Sequence, residues 1–173
     1  WIERPCDGEE ECGQQWIALR GSDGGMALLN SNKYSFSIKD NELNLTVVRS
    51  PIFGDHGNVR SSESEYTDQD EHSFEYELMP LASYTGWGDI IRRARQLNKK
   101  LTYIAENRHE GQLDATYTGV SVDAPNVVIS AVKVAEDGRG MIVRAYETEG
   151  RAVTAHITCP LAGLDADITF SPH

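Results

Sequence analysis

The stretch Tyr34-Ser35-Phe36-Ser37-Ile38-Lys39-Asp40-Asn41-Glu42-Leu43-Asn44-Leu45-Thr46-Val47 decides the fold class. Tyr34, Phe36 and Ile38 alternate with Ser35, Ser37 and Lys39, and Leu43, Leu45 and Val47 alternate with Asn44 and Thr46. A period of two places one set of side chains on a buried face and the other in water, as in a half-buried strand. Asp40 and Asn41 between the two runs tolerate tight-turn dihedrals, so the stretch predicts a β-hairpin. It also holds the triplet Asn44-Leu45-Thr46, which reads as a strand segment rather than a glycosylated surface loop.

Outward from this hairpin the same signal recurs. Phe74, Tyr76 and Leu78 alternate with Ser73, Glu75 and Glu77. Further strands are predicted over 126–135, 141–147, 152–159 and 164–170, joined by Asp137-Gly138-Arg139-Gly140, Glu149-Gly150 and Pro160-Leu161-Ala162-Gly163. Short strands with glycine-bearing turns at this spacing predict a meander in a sandwich or barrel. Val127-Val128-Ile129 does not alternate, which implies cover on both faces. One short helix is expected near 89–98: Asp89 as its cap, Ile90, Ile91, Ala94 and Leu97 on one arc, and Arg92, Arg93 and Arg95 elsewhere. That basic surface is expected to be solvated rather than a docking face. The fold expected is therefore all-β, an antiparallel β-sandwich with one helix.

Composition narrows the partners. The 173 residues carry 16 basic and 27 acidic side chains, a net charge of −11. Nucleic-acid affinity comes from Lys and Arg displacing counterions, so this balance argues against DNA or RNA. No apolar run approaches the roughly 20 residues of a membrane-spanning helix, so no membrane partner is expected. Cys6, Cys12 and Cys159 fit neither a disulfide framework nor a paired zinc motif. Free thiols favour a reducing compartment, and a cytoplasmic location is expected. The chain begins Trp1-Ile2-Glu3-Arg4-Pro5 and stops at Phe170-Ser171-Pro172-His173. Both ends read as cuts within a longer protein.

No complete catalytic constellation is visible. G-x-S-x-G, H-E-x-x-H and helix-opening phosphate loops are absent. Gly21-Ser22-Asp23-Gly24-Gly25 precedes a strand, not a helix, and reads as a turn. Asp68-Gln69-Asp70-Glu71-His72 fails as a calcium loop, with Ser73 where glycine belongs and Met79 where glutamate belongs. As a zinc site it would need Asp55 or His56, and an acidic loop leading into a strand is the simpler reading. Trp16, Tyr84, Trp87, Tyr103 and Tyr117 could present faces to sugar rings, although core packing is the commoner role for each.

Several segments together resemble the C-terminal region of glycoside hydrolase family 38, the α-mannosidases. They are Ile2–Pro5, Gly25–Tyr34, Leu45–Pro51, Asp68–Tyr76, Ser121–Val128, Ala135–Gly138 and Arg144–Glu147, in order along nearly the whole chain. Ser31 and Ser35 stand where the family pattern has Asp and Gly, and Leu81 stands where His commonly follows Pro80. The resemblance implies a sandwich of the supersandwich, galactose-mutarotase-like kind, with 1–173 as one C-terminal domain of a larger enzyme, truncated at both ends. It implies a retaining α-mannosidase whose zinc and aspartate nucleophile lie in an upstream α/β domain, followed by a helical bundle. The fragment itself would then hold no catalytic residue, no metal ligand and no cofactor, and would be inactive alone. Its partners would be those upstream domains, with a mannoside at the domain interface, and the resemblance also allows a homo-oligomeric parent. Arg49 and Asp55 are expected at the rim of the substrate pocket, because Arg donates through a rigid fork and Asp accepts from hydroxyls. The competing reading is a stand-alone carbohydrate-binding or interaction module; a complete zinc hydrolase is a third.

Overall fold

Antiparallel strand pairing dominates the computed structural model, which describes residues 1–52, 65–112 and 114–172. The chain divides into two compact units, Ile2–Ser83 and Tyr84–His173, the latter with Trp1.

In the first unit, β1 (Asp7–Cys12), β4 (Ser35–Lys39) and β5 (Glu42–Leu45) form one sheet in the order β1-β4-β5. A second sheet takes β2 (Trp16–Gly21), β3 (Gly24–Asn30) and β6 (Tyr76–Ala82) in the order β2-β3-β6. The predicted hairpin is β4–β5: Phe36 faces Leu45, Ile38 faces Leu43, and Lys39 faces Glu42 across the Asp40-Asn41 turn. Asp40 takes φ 54, the left-handed conformation that Asp tolerates. Buried Ile17, Phe36 and Ile38 pack with Leu19, Leu28, Leu43 and Leu45, so both sheets contribute their inward faces to one sandwich core. The Gly21–Gly25 turn joins β2 to β3. A side chain on Gly25 would stand 2.1 Å from the Leu19 carbonyl oxygen, so the two strands approach closely only because it has none.

β6 starts later than the alternation predicts, at Tyr76 rather than Phe74, and runs past Pro80. Ser31 explains the start. Its backbone N–H donates to the Glu75 carbonyl at 3.0 Å, while its hydroxyl accepts from the Glu75 N–H at 3.0 Å. A side-chain acceptor therefore closes the ladder there. Pro80 is accommodated because β6 is an edge strand.

In the second unit, β10 (Val153–Cys159) pairs with β11 (Leu164–Phe170) and with the short β7 (Ser121–Val122). β8 (Val127–Val134) pairs with β9 (Met141–Glu147), with a bulge at Ser130. Ala124, Val127 and Ala155 form its core, with Val122, Ala145, Val153 and Phe170 against them. Val127 and Val128 are both buried, as the unbroken apolar run implies.

The helix α1 spans Trp87–Asn98 and packs on β8, burying Ile90, Ile91 and Ala94. Its cap is Gly86, not Asp89; Asp89 instead accepts from the Gly86 N–H at 3.2 Å, from the third helical position. The basic residues are not all left to solvent. Arg92 donates to the Pro125 carbonyl at 2.6 Å and Arg95 to the Ile129 carbonyl at 2.5 Å. These bonds fasten the helix to the strand it covers and to the turn leading into that strand.

Glu147 is 1% exposed, at the end of β9. Its Oε1 accepts from Asn126 Nδ2 at 2.9 Å and from the Glu149 N–H at 2.5 Å, and its Oε2 accepts from the Arg151 N–H at 3.1 Å. Burial works against its charge, yet the donors of Glu149, Asn126, Arg151 and Gly150 outweigh that and hold its pKa below the ordinary glutamate value. The loop fixed in this way presents Glu149 Oε1 to the Trp87 N–H at 2.6 Å, satisfying the helix N-terminus. It also presents the Thr148 carbonyl to Trp1 Nε1 at 2.8 Å, and the Trp1 ring lies 4.8 Å from that of Trp87.

On β10, His156 is clasped by β11. Its Nδ1 lies 2.8 Å from Asp167 Oδ1, and its Nε2 lies 3.2 Å from Asp165 Oδ1. The Asp167 hydrogen bond chiefly raises its pKa, against desolvation and with smaller help from the charges of Asp165, Asp167 and Asp123.

Two predictions follow from these contacts. Glu147→Gln puts an amide NH2 against backbone donors and should cost about 2–4 kcal/mol in urea unfolding, as expected for a disrupted buried charged hydrogen-bond site. Because the folded pKa of Glu147 is lowered, its contribution is present above the unfolded value near 4.5 and is lost as pH falls through the folded value. The substitution should therefore flatten the acid limb of the stability profile. For His156 the sign is opposite: its clasp is present below the unfolded value near 6.5 and is lost as pH rises through the raised folded value. The His156 ring resonance should titrate above 6.5 by NMR, and Asp167→Asn should move that midpoint down.

Candidate functional site

Just beyond β5, the Thr46 N–H donates to the Ser35 carbonyl at 2.9 Å. A second segment returns beside it. The Thr67 N–H donates to the Pro51 carbonyl at 2.9 Å, Ile52 bridges Tyr66, and the Ser50 hydroxyl donates to the Thr67 carbonyl at 2.6 Å. Gln69 Nε2 donates to Ser50 Oγ as well. The returning segment is then anchored to the end of β3, where Asn32 Nδ2 donates to the Ser73 carbonyl at 3.0 Å. These local bonds bring residues from four parts of the sequence around one recess of about 290 Å³ in the first unit.

Arg49 lines that recess with Glu10, Lys33, Ser35, Thr46, Asp68 and His72, beside Val47 and Val48. Thr46 Oγ1 donates to Glu10 Oε1 at 2.8 Å. The Glu10 pKa is lowered first by the Ser35 hydroxyl and then by Thr46, against desolvation, with the positive charge of Arg49 a smaller help. Lys33 Nζ stands 5.2 Å from the centre of the Phe74 ring, within cation–π range. His72 Nε2 lies 2.9 Å from the Asp68 carbonyl oxygen, and Asp68 holds φ 53.

The lining mixes Lys33 and Arg49 with Glu10 and Asp68, the two signs balanced. Such a wall offers donors and acceptors to a neutral polyhydroxylated ligand and gives a polyanion no net attraction. Arg49 thus lines a polar recess. Asp55, its expected companion, lies outside the described residues, as does His56.

Other candidates fare differently. Asp68 and His72 do converge, but among the described residues no three His, Cys, Asp or Glu side chains come together as metal ligands. Tyr84, Tyr103 and Tyr117 are exposed rather than packed in a core, while Trp87 packs at a tilt of 35° against Trp1. Glu10, Lys33 and Thr46 were not singled out by sequence reasoning. Pairing and a loop hydrogen bond unite them: β1 lies beside β4, and the Thr46 N–H beyond β5 donates to the Ser35 carbonyl. The sequence signal that pointed nearest was the Asp68–His72 cluster, read there as an acidic loop.

The family described as glycosyl hydrolases family 38 C-terminal domain matches residues 1–57, and the family 38 C-terminal beta sandwich domain matches residues 126–169. The second match falls in the second compact unit, and the first falls in the first unit apart from Trp1. Alpha-mannosidase G of Dictyostelium discoideum is 30% identical over 86% of this chain. Alpha-mannosidase 2C1 of Mus musculus is 32% identical over 84%, and that of Homo sapiens is 29% identical over 84%. The chain spans 13% of the length of each of these relatives. Two family matches in chain order, on an antiparallel sandwich with one short helix, place this chain in the C-terminal region of glycosyl hydrolase family 38.

Proposed function

We propose that the chain is the C-terminal sandwich portion of a longer retaining α-mannosidase, acting on terminal α-mannosides. In this reading it shapes the substrate pocket and supports an upstream catalytic domain without doing chemistry itself. The observation that carries the reading is the charge-balanced recess holding Arg49, in a chain whose relatives are named alpha-mannosidases. A glycosidic transition state develops positive charge at the sugar ring, so an arginine belongs at the rim, donating to peripheral hydroxyls, and not beside the reacting carbon. Glu10, held by Thr46 and Ser35, supplies an acceptor within the same recess.

The zinc that the resemblance implies would be held by residues outside this chain. Among the described residues, no three His, Cys, Asp or Glu side chains form a ligand set for it. Cys6, Cys12 and Cys159 carry no disulfide, which supports a reducing, cytoplasmic setting.

Arg49→Ala in the longer polypeptide should lower kcat/KM for an aryl α-mannoside about 10- to 100-fold, the usual range for a lost charged hydrogen bond. Unchanged kcat and KM would contradict the rim role. The 173-residue chain alone should turn over no mannoside. Calorimetric binding of mannose by that chain alone would favour a stand-alone carbohydrate-binding module instead.

A further inference from the structure

Past α1 the chain leaves regular structure. Residues 101–112 form neither helix nor strand, and every one of them is exposed. Within them Leu101 is 94% exposed, Tyr103 88% and Ile104 84%. Single exposed apolar residues are ordinary on a protein surface, but three large ones among four consecutive positions mark a surface awaiting a neighbour. Thr102, Tyr103 and Ile104 also have high strand propensity. As a strand, the stretch would set Leu101 and Tyr103 on one face and Thr102 and Ile104 on the other.

We infer that Leu101–Ile104 is a docking arm that adds a strand to an exposed sheet edge in the preceding part of the same longer polypeptide. This rests on the reading of the chain as a C-terminal portion. Three observations select that occupant. The matched region is 13% of each relative's length, so most of such a polypeptide lies outside these residues. The matching families are C-terminal ones, which puts that remainder upstream. A second copy is disfavoured by charge, since each chain carries −11 and the arm itself continues into Glu106 and Glu110. Main-chain hydrogen bonds along such an edge give affinity, and alternate side chains entering apolar pockets give register.

Hydrogen–deuterium exchange tests the arm without any substitution. The Thr102, Tyr103 and Ile104 amides should exchange about 100-fold or more slowly in the longer polypeptide than in the 173-residue chain, as expected when a frayed segment joins a stable sheet. Fast exchange in both proteins would overturn the inference. So would protection in the 173-residue chain that grows with its concentration, because the occupant would then be a second copy. A Tyr103→Asp, Ile104→Asp double variant of the longer polypeptide should lose the protection, and retained protection would overturn the strand register. Hydrolysis of an aryl α-mannoside, measured on the same sample, separates the two readings. Activity with a freely exchanging arm overturns the docking alone. A protected arm without activity supports the docking and overturns the enzymatic assignment.

Discussion

The Glu147 carboxylate is the constraint around which the second unit is arranged. A charge taken out of water must be met by donors, and here these are backbone N–H groups of Glu149, Gly150 and Arg151 with the Asn126 amide. Meeting them forces the chain after β9 to curl around the carboxylate. That curl aims Glu149 at the helix N-terminus and the Thr148 carbonyl at Trp1. Asn126 contributes a second time, its carbonyl accepting from both the N–H and the hydroxyl of Thr148. One buried charge thereby ties together the start of β8, the end of β9, the helix and the first residue. Such a network specifies one arrangement, since any partner lost leaves a buried polar group unmet.

The first unit relies on a different device. Its two three-stranded sheets share a small apolar core, and the recess is built at the margin where β5 runs out and the returning segment is pinned by Ser50, Thr67 and Asn32. Side chains on that margin are free of packing duty, so charged groups can gather there at little cost. In the proposed role, the core would fix the position of this margin, and the margin would supply donors and acceptors to a pocket whose chemistry lies elsewhere.

Sequence reasoning reached the sandwich through alternation, and Phe36, Ile38, Leu43 and Leu45 are core residues as their spacing implies, whereas Tyr34, Tyr76 and Leu78, apolar members of the same pattern, are exposed. It located β8 to β11 from apolar runs bounded by glycine-bearing turns, and the helix from the arc of Ile90, Ile91 and Ala94, which are buried. It gave no warning of β1, because Asp7-Gly8-Glu9-Glu10-Glu11-Cys12 has no apolar face and is held by pairing with β4. It misplaced the helix cap, since Asp89 serves from inside the first turn while the Glu149 side chain, distant in sequence, meets the Trp87 N–H. Of the site, Arg49 was legible through the family resemblance. Glu10, Lys33 and Thr46 were not, for a recess assembled by strand pairing and loop hydrogen bonds leaves no linear pattern. Glu147 was equally silent: a glutamate in an alternating strand looks solvent-facing until its donors are known.

The central claim is that these residues complete an enzyme whose chemistry resides elsewhere in a longer polypeptide. Separating the two pieces and recombining them tests it most directly: the 173-residue chain and the remainder are expressed apart, then mixed, and α-mannoside hydrolysis is followed. The account predicts negligible turnover from either piece and recovered turnover from the mixture. Full turnover by the remainder alone, or any by the 173-residue chain alone, would contradict it.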